Sequence, residues 1–232
     1  MQNKNPFSDL SRGEWFLWLV SLTVCFVSFL FSGGKDYMTL ISSLIGVTAL
    51  IFVSKGYVFG QVLTVIFAVF YGIVSFFFRY YGEMITYLCM TAPIAMMSVI
   101  SWLKNPYKDT KEVTVARLSK KQFIIMTVLS AITTLVFYYI LKALGNANLL
   151  FSTISITTSF AASYLTYCRS PYYALAYAAN DIVLIVLWVL ASLSDISYLP
   201  MIFCFVMFLV NDLYGFYNWQ RIQKKQNENV PK

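Results

Sequence analysis

The residues of this chain with chemistry to offer are few, and most stand inside apolar runs. Asp181 lies about ten residues into a run extending from roughly 172 to 194. An acidic group at that depth in a bilayer costs about 2.5–3.5 kcal/mol on insertion scales, so it must face the protein interior or water. Tyr177, Asn180, Asp181, Leu184 and Trp188 recur at helical spacing and share one face. A polar pair with a large ring above and below can hold a flat heteroaromatic molecule by stacking and hydrogen bonds. The same pair equally suits a structural interhelical hydrogen bond.

Further along, Asn211, Tyr214, Gly215 and Asn218 make a second polar stripe in VNDLYGFYNW. Gly215 reads as a close-packing position, Asp212 as interfacial, and Trp219 as a membrane-interface aromatic. In the first half, Gln61, Thr64 and Tyr71 share one helix face, and Tyr87, Thr91 and Ser98 share another. Serine and threonine often bond back to their own helix, so these are milder signals. The chemistry on offer is binding rather than catalysis. Histidine is absent, which removes the commonest general base, the commonest metal ligand and every histidine-dependent triad. An intramembrane hydrolase would have only Asp181 and Asp212 to pair, and neither sits in a familiar aspartyl context. Cys25, Cys89, Cys168 and Cys204 form no CxxC and read as small packing residues. Neither a metal nor a cofactor is expected.

These side chains need apolar helices to position them. Of 232 residues, 59% are apolar and 12% charged, against about a quarter charged in a soluble domain. A span takes roughly 20 residues, and the candidates are 14–32, 36–54, 57–79, 82–104, 121–144, 148–168, 172–194 and 197–220. The first is too long for a signal-peptide core and has no cleavage pattern after it; a seven-span form without it is the alternative. Connections are short except for the charged stretch 105–120. With eight spans, all the Lys and Arg residues but Lys35, Arg79 and Lys142 fall on the side of the two termini, which places both termini in the cytoplasm. The net charge of +7 is thus accounted for by topology, and no nucleic-acid partner is expected.

The halves echo one another. Aligning Trp102 with Trp219 also puts Tyr71 on Trp188 and Thr64 on Asp181. Helices 2–4 then match helices 6–8 with one crossing between them, so the repeats enter the membrane in the same direction. The fold class expected is an all-α integral membrane bundle, a 3+1+3 parallel repeat with one extra N-terminal helix and seven or eight spans. The divisions are 1–35, 36–104, 105–147, 148–222 and 223–232. Pro93 should kink its helix or free a carbonyl, and Pro200 is a first-turn proline.

The stretches YGEMITYLCMTAPIAMMSVISWLKNPY (81–107), YAANDIVLIVLW (177–188) and FLVNDLYGFYNW (208–219) resemble the PnuC-type nicotinamide riboside transporter family. The resemblance covers residues 36–222 and implies a full-length SWEET-like fold, a homotrimer, and facilitated diffusion with a cytoplasmic kinase trapping the substrate. It implies nicotinamide riboside or a similar vitamin precursor as substrate, relatives carrying thiamine, riboflavin or deoxynucleosides. The family's Trp before Asn is replaced here by Tyr177 before Asn180. A substrate-capture subunit of an energised importer and a SWEET-type sugar carrier are the other readings. No cation lies mid-span, which argues against a phosphorylated ligand. The substrate-binding residues expected are Asn180, Asp181, Trp188, Tyr177, Asn211, Tyr214, Asn218, Gln61, Thr64, Tyr71, Tyr87 and Thr91.

Overall fold

Helix starts and stops are written locally. The computed structural model describes residues 5–77, 80–146 and 148–228, and these hold eight helices long and apolar enough to cross a bilayer. α1 (Arg12–Phe31) opens on a capping box, Ser11 Oγ accepting from Glu14 N while the Glu14 carboxylate accepts from Ser11 N. α2 (Tyr37–Ser54) starts at Asp36, whose carboxylate accepts from the backbone N–H and hydroxyl of Thr39. α3 (Val58–Phe77) and α4 (Tyr81–Leu103) follow. α5 (Lys120–Ala143) repeats the capping box with Ser119 and Gln122. α6 (Leu149–Tyr167), α7 (Tyr173–Ser192) and α8 (Leu199–Glu228) complete the chain. Boundaries lie within two or three residues of expectation except that α8 runs well past residue 220. Of the expected topology markers, Lys4, Arg79 and Lys232 lie outside the described residues.

α4 is not uniform. Residues Tyr87–Thr91 form a π turn between two α segments, and Ala92 N–H bonds to Tyr87 O across it. Pro93 cannot donate to the turn before it, and the wide turn takes the place of a simple kink. α5 presents Ile124, Val128, Leu135 and Val136 outward. Such a continuous apolar face meets lipid or another apolar protein surface, not water.

The two three-helix units meet in a symmetric way. α2 packs on α3 and on α8, and α4 packs on α3 and on α6. The first helix of each unit therefore meets the last helix of the other. α1 rests on α2 as the connecting α5 rests on α6, with α1 also touching α8. Residues paired by the sequence repeat come together at the axis. Trp188 Nε1 donates to the Tyr71 hydroxyl at 3.1 Å, and the Trp102 and Trp219 rings lie 5.4 Å apart. Trp102 donates to Thr166 O and Trp219 to Val53 O, each across to the opposite unit. Trp219 is fully buried. The interfacial expectation for it is wrong, because its indole N–H finds a carbonyl inside the bundle.

The charged stretch 105–119 straps the ends of both units on the face that carries the termini. Val113 N donates to Gly56 O, Ala116 N to Arg169 O, and Gln226 brackets Val113 and Val115 from α8. Lys111 pairs with Asp9 at 2.7 Å, and that hydrogen bond holds the Asp9 carboxyl below its usual range.

α1 is fastened by polar contacts. Glu14 accepts from Lys55 at 3.0 and 3.1 Å and from the Tyr214 hydroxyl at 3.0 Å. Asn211 donates to Ser21 Oγ, and Trp18 to Thr48 Oγ1. Lys55→Ala leaves the buried Glu14 carboxylate without its cation, and should cost about 2 kcal/mol. Thermal unfolding in detergent measures this, and Lys55→Ala with Glu14→Gln should recover part of the loss.

Candidate functional site

Where the two units meet, a small cavity opens level with the middle of α7. Its wall takes Gly46 and Ala49 from α2, Gln61 and Thr64 from α3, Tyr87 and Thr91 from the π turn of α4, Tyr173, Tyr177, Asn180 and Asp181 from α7, and Phe208 and Asp212 from α8. Its volume is about 50 Å³, room for a water or two but not for a nucleoside. Gly46 belongs to the packing of the wall: a Cβ there would stand 2.3 Å from the Phe208 ring.

The polar groups of the wall are held in place from behind. Asn180 Oδ1 accepts from Thr158 Oγ1 at 2.8 Å and Ser159 Oγ at 2.9 Å. Its carbonyl end is thereby satisfied, and its NH2 is the end available to a ligand. The Tyr177 hydroxyl pairs with Ser163 at 3.2 Å, and Thr64 bonds back to Gly60 O. The π turn rotates Tyr87 and Thr91 relative to the rest of α4, so both reach the cavity. Asp181 and Asp212 are each only 3% exposed, and both line the cavity. The interfacial placement expected for Asp212 is therefore wrong; α8 carries it into the core beside Asp181.

Aromatic layers close the cavity above and below. On the side of the 193–198 turn, Trp188 sits 4.8 Å from Tyr80 and 5.8 Å from Tyr198, and Tyr71 lies 4.3 Å from Tyr87. On the side of the termini, Trp219 lies 4.9 Å from Tyr173 and 5.4 Å from Trp102.

Of the residues singled out in the sequence, Tyr177, Asn180, Asp181, Gln61, Thr64, Tyr87 and Thr91 are brought together at the cavity. Trp188 and Tyr71 stand one layer away and bond to each other. Asn211, Tyr214 and Asn218 point elsewhere: to Ser21, to Glu14 and to Ser54 O. Asn211 and Tyr214 thus hold α1, and Asn218 ties α8 to the end of α2. Ser98 bonds back to Ile94 O. Gly215 has Tyr173 and Ala174 as close neighbours, the packing position expected. Cys25, Cys168 and Cys204 are buried, whereas Cys89 is exposed on the outer surface of α4.

Sequence reasoning overlooked Glu83. It is buried one helical turn from Tyr87, accepts from Ser155 Oγ at 3.0 Å across the unit interface, and leaves Oε2 without a partner. The signal was present: an acidic residue in the first turn of an apolar span is costly unless turned inward. The Thr158, Ser159 and Ser163 row that braces the site was also overlooked. Hydroxyl residues in a membrane helix look alike whether they brace a site or only their own turn.

A polar-walled cavity between two like-oriented helical units, closed by rings on both sides, is the arrangement of a membrane carrier. The chain belongs to the nicotinamide mononucleotide transporter family, whose model matches residues 36–221. It is 26% identical over 217 residues to a nicotinamide riboside transporter PnuC of Neisseria mucosa, covering 91% of this chain and 82% of that one. It is also 26% identical over 213 residues to a nicotinamide riboside transporter PnuC of Haemophilus influenzae, covering 91% of each. Its fold matches a crystal structure of the vitamin B3 transporter PnuC with a TM-score of 0.81 and 25% identity, over 94% of each chain.

Proposed function

We propose that this protein carries nicotinamide riboside across the cytoplasmic membrane by facilitated diffusion, through alternating exposure of the central cavity. One observation carries the choice of the nucleoside over its phosphorylated form. Among the described residues lining the cavity there is no Lys or Arg, and a phosphate dianion in a bilayer core needs cationic partners. The wall instead offers amide, hydroxyl and carboxyl groups beside large rings, which suits a ribose and an amide-bearing ring.

In this reading Asn180 and Asp181 bond the ligand, with Gln61, Thr64, Tyr87, Thr91 and Tyr177 completing the wall. Trp188 and Tyr71 act as an aromatic gate on one side, and Trp102 with Trp219 on the other. The cavity must widen to admit a nucleoside, and rocking of units 36–104 and 148–222 supplies that space. The crowding of Lys and Arg on the termini face supports cytoplasmic termini, and a soluble kinase there would trap the substrate. The outward apolar face of α5 supports assembly into a homo-oligomer, a trimer in keeping with the family resemblance.

Purified protein alone in liposomes should take up labelled nicotinamide riboside to equilibrium without ATP. Excess nicotinamide mononucleotide should compete poorly. Uptake that requires added partner subunits would overturn the carrier reading, and equal competition by the mononucleotide would overturn the substrate.

A further inference from the structure

The cavity wall contains two carboxyl groups and, among the described residues, no basic residue to neutralise them. Asp181 of α7 and Asp212 of α8 are both buried in the wall of one small cavity with rings on both sides, and no protein donor among the described residues reaches Asp181 Oδ2. The titratable groups facing the pair are Tyr173 and Tyr177 on α7, Tyr87 on α4 and Cys204 on α8. Glu83 stands behind Tyr87. From α2 the wall is apolar, and from α3 it is Gln61, Thr64 and Phe67. None of these groups supplies a positive charge.

Two ionised carboxylates side by side in a site shut off from water repel without screening. Either a proton shared between them or a cation delivered by the ligand removes that repulsion. We propose that the Asp181–Asp212 pair recognises the fixed positive charge of an N-substituted pyridinium ring, holding one proton when the cavity is unliganded and releasing it to water when the cation enters. This rests on the reading of the cavity as a nicotinamide riboside site. It goes beyond it by making charge, rather than ring shape, the basis of selection. The empty pair with its proton and the loaded pair with the cation then each carry one net negative charge, so ligand entry leaves the charge of the site unchanged.

Isothermal titration of the whole protein in detergent tests this. Nicotinamide riboside is titrated at several pH values, in pairs of buffers with different protonation enthalpies. Release of about one proton per ligand is expected, with Kd falling about tenfold for each pH unit gained while the pair holds its proton. The dihydropyridine form of the same nucleoside, uncharged and nearly identical in shape, should bind at least tenfold more weakly and release no proton. D212N, with its fold checked by thermal unfolding, should bind with a Kd that does not change with pH. Binding by the wild-type protein with no proton release and a flat pH profile overturns the proposal alone. Equal affinity for the charged and uncharged rings does the same. Absence of nicotinamide riboside binding at every pH overturns the functional reading along with it.

Discussion

Asn180→Ala should lower saturable nicotinamide riboside uptake by about ten- to a hundredfold, since a buried site that loses a hydrogen-bonding partner forfeits roughly 1–3 kcal/mol. The structural reason is directional. Thr158 and Ser159 occupy the Asn180 carbonyl oxygen, which leaves the amide NH2 as the fixed donor in the cavity wall. Alanine removes that donor and adds only a small void. The bracing row survives the change, because the Thr158 hydroxyl can turn its one hydrogen back to Ile154 O or Ser155 O within α6. The loss should therefore appear in transport while membrane insertion and elution as a single species persist. Initial-rate uptake in liposomes, normalised to protein inserted, measures it. An unchanged rate would place the ligand somewhere other than this cavity.

The second large effect concerns stability. Trp219→Ala should lower the midpoint of thermal unfolding in detergent by about 10 °C, from a loss of roughly 3–5 kcal/mol. Trp219 is fully buried and packs against both Trp102 and Tyr173. Its N–H donates to Val53 O at 2.8 Å in the opposite unit. Truncation removes the ring's contacts and also strips a cross-unit hydrogen bond near the end of α2. Trp102 makes the symmetry-related contact to Thr166 O at 3.0 Å, so Trp102→Ala should behave alike. The two losses should be non-additive, since the rings touch each other. A Trp219→Ala protein that unfolds at the wild-type temperature would contradict the interlocking of the units.

Several parts of this architecture could be read directly from the chain. Span lengths and the match of Trp102 to Trp219 follow from the pattern of the chain, which no tertiary contact overrides. Asn180 and Asp181 could be recognised because polar side chains deep in a span cannot face lipid. The proximity of Tyr71 and Trp188 was implicit in the repeat, since equivalent positions on helices near a two-fold axis approach each other.

The assignment of helix faces was decided elsewhere. Trp188 shares the face of Asn180 but lies two helical turns along it, about 12 Å at 1.5 Å per residue, so it roofs the cavity instead of lining it. On α8 the stripe of Asn211, Tyr214 and Asn218 looked like a site and serves α1 and α2, while the adjacent Asp212 turns into the cavity. α8 touches α1, α2 and α7 together, and periodicity alone does not say which neighbour a face will meet. In a soluble helix the polar side marks water and settles the question. Between lipid and an apolar core that contrast vanishes, so the sequence by itself determined which residues share a face and where the apolar helices lie. Only the packing of the two units decided which of those faces enclose the cavity.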